Sequence, residues 1–106
     1  MTMYTVIETP VFKRLVDDIW SVDERQEFVV WLANNALAGD VIPGAGGLRK
    51  VRWSRAGMGK RGGVRVIYYN LLNDGIITLL MVYTKAKFDN LPPAFLRQLR
   101  DELDNG

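Results

Sequence analysis

At 106 residues, with 48% hydrophobic and 25% charged positions, the chain has the size and composition of one globular domain (1–106) and not of a disordered tail or a fibre. It contains neither cysteine nor histidine, which removes disulfides, the usual zinc sites, Cys–His nucleophile pairs and any mechanism built on imidazole. The net charge is only +2, but it is unevenly placed: residues 1–40 carry three cations and seven acids, residues 41–73 seven cations and no acid, and residues 74–106 four cations and five acids.

A block of like charge repels itself, and two readings of it stand side by side: a surface for an anionic partner, above all a phosphate backbone, or a solvated loop. The N-terminal MTMYTVIETP has no apolar signal core, and no apolar run approaches the roughly 20 residues that cross a bilayer, so a soluble cytoplasmic protein is expected.

In chain order, Tyr4–Glu8 (YTVIE) is a short β-rich run ended by Thr9-Pro10, a cap residue and a proline at the first helical position. Phe12, Leu15, Val16 and Ile19 then fall at i, i+3, i+4 and i+7, one apolar stripe of a first helix. Ser21-Val-Asp-Glu24 has the form of a capping box, which starts a second helix expected to reach about Leu37. Phe28, Trp31 and Leu32 mark its buried side, Gly39 its stop, and the two helices are expected to form a hairpin. From Leu48 the period changes. Leu48–Ser54, Val64–Leu72 and Ile76–Thr84 are rich in Val, Ile, Tyr and Leu, and Asn73-Asp74-Gly75 between the last two is a tight-turn signal. After Pro92-Pro93, the positions Leu96, Leu99 and Leu103 return to helical spacing. The expected class is α+β in the order β-α-α-β-β-β-α.

Alternation along Leu48–Ser54 places Lys50 and Arg52 on one face and Arg49, Val51 and Trp53 on the other. Adjacent Tyr68 and Tyr69 likewise face opposite ways, one of them toward a core, and Trp20, Trp31 and Trp53 read as core or partner-facing. Gly57–Gly62 formally matches GxGxxG, but the motif requires a helix directly after it and here a strand follows; a Walker A reading fails at Ser54. Arg97 and Arg100 lie among acids on the last helix and read as its solvated face.

The runs GDVIPGAGGLRKVRW (Gly39–Trp53), GKRGGVRVIYY (Gly59–Tyr69) and VYTKAKFDNL (Val82–Leu91) resemble the RelE/ParE superfamily of toxins from bacterial type II toxin–antitoxin modules, and among them the HigB branch. The resemblance spans nearly the whole chain and implies a RelE-like fold, with the helical hairpin packed on a small antiparallel sheet. It also implies a ribosome-dependent endoribonuclease that cleaves mRNA in the A site by attack of the 2′-hydroxyl, with a DNA-binding antitoxin, the ribosome and mRNA as partners and neither metal nor other cofactor. The family's cation pair on the second strand fits Lys50 and Arg52, its arginine on the third strand fits Arg65, and its cation at the end of the fourth fits Lys85. Lys60 and Arg61 belong to the GKRGG segment of this branch.

The catalytic set is therefore Lys60, Arg61, Arg65 and Lys85, with Arg49, Lys50, Arg52, Arg55 and Lys87 as RNA contacts. The family's C-terminal tyrosine or histidine has no counterpart in Lys85–Asp89. Arginine stays charged and supplies hydrogen-bond donors, whereas crowding by cations lowers a lysine's pKa, which points to Lys60 or Lys85 as base and to Arg61 and Arg65 as clamps on the transition state. Tyr83, grouped by alternation with the apolar Leu79 and Met81, and Asp89, placed to cap the last helix, are the weaker alternatives for proton transfer. The competing function is a ParE-like, non-catalytic gyrase binder, in which the cations at Lys50, Arg52, Arg65 and Lys85 are not expected.

Overall fold

The computed structural model describes residues 4–53, 63–84 and 92–105, with side chains as far as Asp101. The elements are β1 (Thr5–Glu8), α1 (Pro10–Val16), α2 (Val22–Ala33), β2 (Asp40–Val41), β3 (Arg49–Trp53), β4 (Val64–Leu71), β5 (Ile76–Thr84) and α3 (Pro93–Asn105). They form one five-stranded sheet in the order β1-β5-β4-β3-β2. β1 runs parallel to β5, and every other pairing is antiparallel. This is the expected α+β class with one strand more: β2 is two residues long, below the length at which alternation shows in a sequence. Among the described residues no helix is long and apolar enough to cross a membrane.

The caps form as read. Thr9 accepts the Phe12 N–H at 3.2 Å with Pro10 at the first helical position, and the Ser21–Glu24 box is complete at 3.1 and 3.2 Å. Both helices end early. α1 stops at Val16, so Ile19 lies beyond it, although it still packs on the core. α2 stops at Ala33 because Asn34 and Asn35 turn their amides back onto the carbonyls of Val30 and Trp31 at 2.9 and 2.8 Å. Those bonds satisfy last-turn acceptors that would otherwise need another turn of helix. Leu37 is left 65% exposed. A bidentate pair from Arg25 to Glu8, with Nε to Oε2 at 2.8 Å, ties α2 to the outer strand β1.

The sheet is covered on both faces. On one face α1 and α2 bury Phe12, Val16, Phe28 and Leu32 against Val51, Val66, Tyr68 and Val82. On the other, Leu96 of α3 packs with Leu48, Ile67, Leu80 and Tyr83. A strand buried on both sides reads as a continuous apolar run, as IITLLMVYT of β5 does.

Tyr68 is fully buried. Its hydroxyl accepts the Gly39 N–H at 2.8 Å and donates to the Ala36 carbonyl at 2.9 Å. Asn70 donates to the same carbonyl at 2.9 Å, and Arg49 to the Gly39 carbonyl at 2.6 Å. Gly39 is therefore not the helix stop expected of it; its missing side chain is what lets the phenol in. A Cβ there would stand 2.7 Å from Tyr68 Oη and 2.9 Å from the Lys50 carbonyl oxygen.

Two outcomes follow from this buried phenol. Gly39→Ala forces phenol and β3 backbone apart and costs about 1–3 kcal/mol, as for other overpacked sites, read as a lower urea midpoint at unchanged slope. Burial pushes the Tyr68 phenol up, while the Gly39 N–H and Arg49 draw it partly back. The folded state thus holds the phenolic proton more tightly than the unfolded chain, so stability is intact below the ordinary phenol value of about 10 and is lost as pH rises beyond it. Urea midpoints across that range check the sign.

Candidate functional site

Register decides which side chains share a face. Lys50 stands opposite Ile67, and Arg52 opposite Arg65, across β3 and β4. Arg65 in turn stands opposite Tyr83, and Ile67 opposite Met81, across β4 and β5. The face turned toward α3 therefore carries a row Arg52–Arg65–Tyr83, with Lys50 beside Arg52 one side-chain repeat along β3. With neighbouring strands about 4.8 Å apart, the three residues of that row span roughly 10 Å of backbone. Asp40 of β2 is the acid at the edge, opposite Lys50.

Tyr83 reaches this row through an irregularity. The β4–β5 register shifts between Ile67 and Tyr68, which pair with Met81 and Leu79, so Leu80 is an extra residue in β5. Leu80 and Met81 consequently pack on the same side of the sheet, and the phase of alternation reverses between them. Leu79 lies in the opposite core, with Phe12 and Phe28. The expected grouping of Tyr83 with Leu79 is thereby corrected: Tyr83 shares its face with Met81 and Arg65.

Lys50 and Arg52 are exposed, and Arg65 is half-buried with its Nη1 donating to the Gly63 carbonyl at 3.3 Å. Tyr83 is buried at 3% exposure, and burial pushes its phenol up while the Arg65 charge pulls it partly down. It keeps its proton at neutral pH, so it offers an O–H donor next to a guanidinium. Behind the row, on the other side of β3, Trp53 meets Trp31 and Phe28 at ring-centre distances of 4.9 and 5.4 Å, and Trp20 meets Phe28 at 5.1 Å. This aromatic block backs β3 where the cations project. Among the described residues no group of three or more acids comes together as a metal-ligand cluster.

The structure thus places Lys50, Arg52 and Arg65 of the expected residues on one face, with Tyr83, the weaker alternative for proton transfer, in the same row. Arg49 is placed apart, on the helical side, bonded to Gly39. Arg55, Lys60, Arg61, Lys85, Lys87 and Asp89 lie outside the described residues, as does the Gly57–Gly62 motif. Arg100, read as part of a solvated helix face, instead lies 4.8 Å over the Tyr69 ring and donates to its hydroxyl at 2.9 Å. Nothing in its sequence neighbourhood signals that contact.

No family model matches the chain. Among solved structures it is similar to that of a mutant of the E. coli toxin RelE in the free state, with a TM-score of 0.63 and 11% identity over 92% of this chain and 97% of that one. The fold is RelE-like. At that identity the likeness establishes architecture, and the chemistry has to be argued from the side chains the architecture presents.

Arg52 and Arg65, as like charges in directly opposed positions, destabilise the β3–β4 pairing. Arg52→Gln should therefore raise the unfolding free energy by a few tenths of a kcal/mol at low ionic strength, and the gain should shrink near 1 M salt, where the Debye length is about 3 Å. Paired urea melts at the two salt concentrations measure it.

Proposed function

We propose that the protein is the toxin of a type II toxin–antitoxin module, of the HigB-like branch, and that it acts in the cytoplasm as a ribosome-dependent endoribonuclease on mRNA in the A site. The observation that carries this reading is the row Arg52–Arg65–Tyr83 with Lys50 beside it, presented on one face of a RelE-like sheet. The like charges of Arg52 and Arg65 in directly opposed positions cost stability, and a local rule broken in this way is a common mark of a surface kept for a ligand. A phosphodiester is the anion that an extended line of fixed cations fits.

The reaction makes a bond from the 2′-oxygen to phosphorus and breaks the bond from phosphorus to the 5′-oxygen, leaving a 2′,3′-cyclic phosphate and a free 5′-hydroxyl. It needs a base for the 2′-proton, an acid for the departing oxygen, and donors around the transition state. In this reading Arg65 and Arg61 are the donors, Lys50 and Arg52 hold the flanking backbone together with Arg55 and Lys87, and Lys60 or Lys85 takes the proton. Tyr83 supplies an O–H beside Arg65, suited to the departing oxygen. The antitoxin of such a module is a DNA-binding protein that silences the toxin, docking either on the basic block of residues 41–73 or on the helical hairpin of residues 10–37, where its bulk would block entry to the ribosome.

Arg65→Ala should lower cleavage of mRNA on programmed ribosomes about a hundredfold, the equivalent of roughly 3 kcal/mol for one preorganised donor, while the unfolding midpoint stays near that of the parent. Without ribosomes the parent should cut the same RNA poorly, since alignment of the reacting groups can supply about 7–11 kcal/mol of a barrier and here the ribosome supplies it. Primer-extension mapping of cut sites reads both. Equal cutting with and without ribosomes would sink the ribosome-dependent mechanism, and replication arrest without any cutting would favour the gyrase-binding alternative.

A further inference from the structure

β1 is an outer strand of the sheet, and among the described residues no strand lies along its second edge. The N–H groups of Thr5 and Thr9 bond to the carbonyls of Gly75 and Leu79, so in this parallel ladder the positions Thr5, Ile7 and Thr9 turn their main-chain groups to β5. By alternation Val6 and Glu8 each turn an N–H and a C=O the other way, to the free edge. That edge is open over three residues and closed at both ends. Before it, the Tyr4 N–H is taken by the Ala33 carbonyl at the end of α2; after it, Thr9 caps α1.

Nothing within β1 deters pairing. Outer strands are ordinarily blunted by lysine, proline, a bulge or an uncompensated charge. β1 reads TVIE, and the carboxylate of Glu8 is already paired with Arg25. On the side of the sheet away from α2, Ile7 is 44% exposed. On the side of α2 a groove of about 330 Å³ follows the strand, lined by Val6, Glu8, Val22, Arg25, Gln26 and Val29. Val22, Gln26 and Val29 stand at i, i+4 and i+7, a stripe of α2 flanking the one that buries Phe28 and Leu32, and Val22 is 78% exposed. The edge is thus apolar on both faces.

The occupant these features fit is a second copy of the same strand. A two-fold axis through Ile7 sets Val6 of each copy opposite Glu8 of the other, as two hydrogen-bonded pairs that take up every outward N–H and C=O reciprocally. Between them the two Ile7 residues stand opposed as a non-hydrogen-bonded pair, the position in which cross-strand side chains come closest. Charge agrees with this register, since each Glu8 meets a valine and not another acid. Any other strand is held to the same four bonds by the closed ends, whereas a second copy supplies the matching isoleucine by symmetry.

We infer that the chain forms a two-fold dimer by antiparallel pairing of β1 with β1 of a second copy, centred on Ile7, which joins the two sheets into one. The cation row on β3 and β4 lies beyond β5 from this edge and stays open, so the dimer does not depend on the proposed nuclease. An edge of three residues with one helical stripe is at the small end of specific interfaces, and association is expected at roughly 10–100 μM.

Sedimentation of the full chain across that range should show the weight-average mass rising from 12.0 kDa toward twice that value. Ile7→Lys sets two ammonium groups face to face and should raise the midpoint of association about tenfold or more, at an unchanged unfolding midpoint; mixing it with Ile7→Glu should restore association. Register is read by cross-linking, because the chain has no cysteine of its own. With opposed Cα atoms about 4.5 Å apart, Ile7→Cys should oxidise to a covalent dimer, whereas Thr5→Cys, roughly 14 Å from its own copy in this register, should not. A mass that stays at 12.0 kDa throughout overturns the inference, as does an Ile7→Lys protein that associates like the parent or a Thr5→Cys protein that cross-links as readily as Ile7→Cys. If Ile7→Lys does not fold, the parent's sedimentation and the two cysteine variants decide.

Discussion

The hydroxyl of Tyr68 is the contact on which the arrangement of the site depends. A phenol with no exposed surface must find partners for its oxygen, and it finds them in Gly39 N–H and the Ala36 carbonyl, at the end of the segment that leaves α2. Asn70 and Arg49 bind the same short segment, so four side-chain hydrogen bonds from β3 and β4 hold residues 36–39 against the sheet. That fixes where β2 begins. β2 in turn pairs Asp40 with Lys50 and Val41 with Arg49, which anchors the edge of β3 at the residue where the cations start.

The sheet separates two demands that compete in a chain of this size. On the helical side every contribution of β3 is structural: Val51 in the core, Trp53 against Trp31 and Phe28, Arg49 on a backbone carbonyl. On the other side Lys50 and Arg52 contribute charge and little packing. Alternation makes this possible within five residues, because each neighbour along the strand serves the opposite face. The aromatic block behind β3 holds the strand from which the cations project, so their backbone positions are set by the core and not by the repelling charges themselves.

Much of this was legible. Thr9-Pro10, the Ser21–Glu24 box and Asn73-Asp74-Gly75 are local signals whose physics lies within a few residues, and each forms the structure it suggests. The split of Lys50 and Arg52 from Arg49 needed nothing beyond a strand with no bulge. Of what escaped the sequence, the end of α2 is local and the rest depends on distant partners. The end of α2 at Ala33 is set by two asparagine amides, although nothing in Asn34-Asn35-Ala-Leu excludes another turn. The bulge at Leu80 arises from how β5 lies against β4, and it alone moves Tyr83 from the company of Leu79 to that of Arg65. Arg100 looked solvated because its partner, Tyr69, is 31 positions away. The RelE-like architecture was legible from the strand and glycine segments together, while the roles of Lys60, Arg61 and Lys85 rest on the likeness to the family.

The parallel pairing of β1 with β5 bears on how the chain comes to be folded at all. Thr5 faces Ile76 and Glu8 faces Leu79, contacts between positions some seventy residues apart. β4 and β5, joined by the four-residue turn Leu72–Gly75, can meet as soon as both exist, whereas β1 must wait for nearly the whole polypeptide and then close a long loop. During synthesis the first strand leaves the ribosome early and remains without its mate until the last quarter of the chain is out. In the folded chain the Glu8–Arg25 pair ties this strand to α2, a contact between positions only 17 residues apart, against the seventy or so that separate β1 from its partner strand.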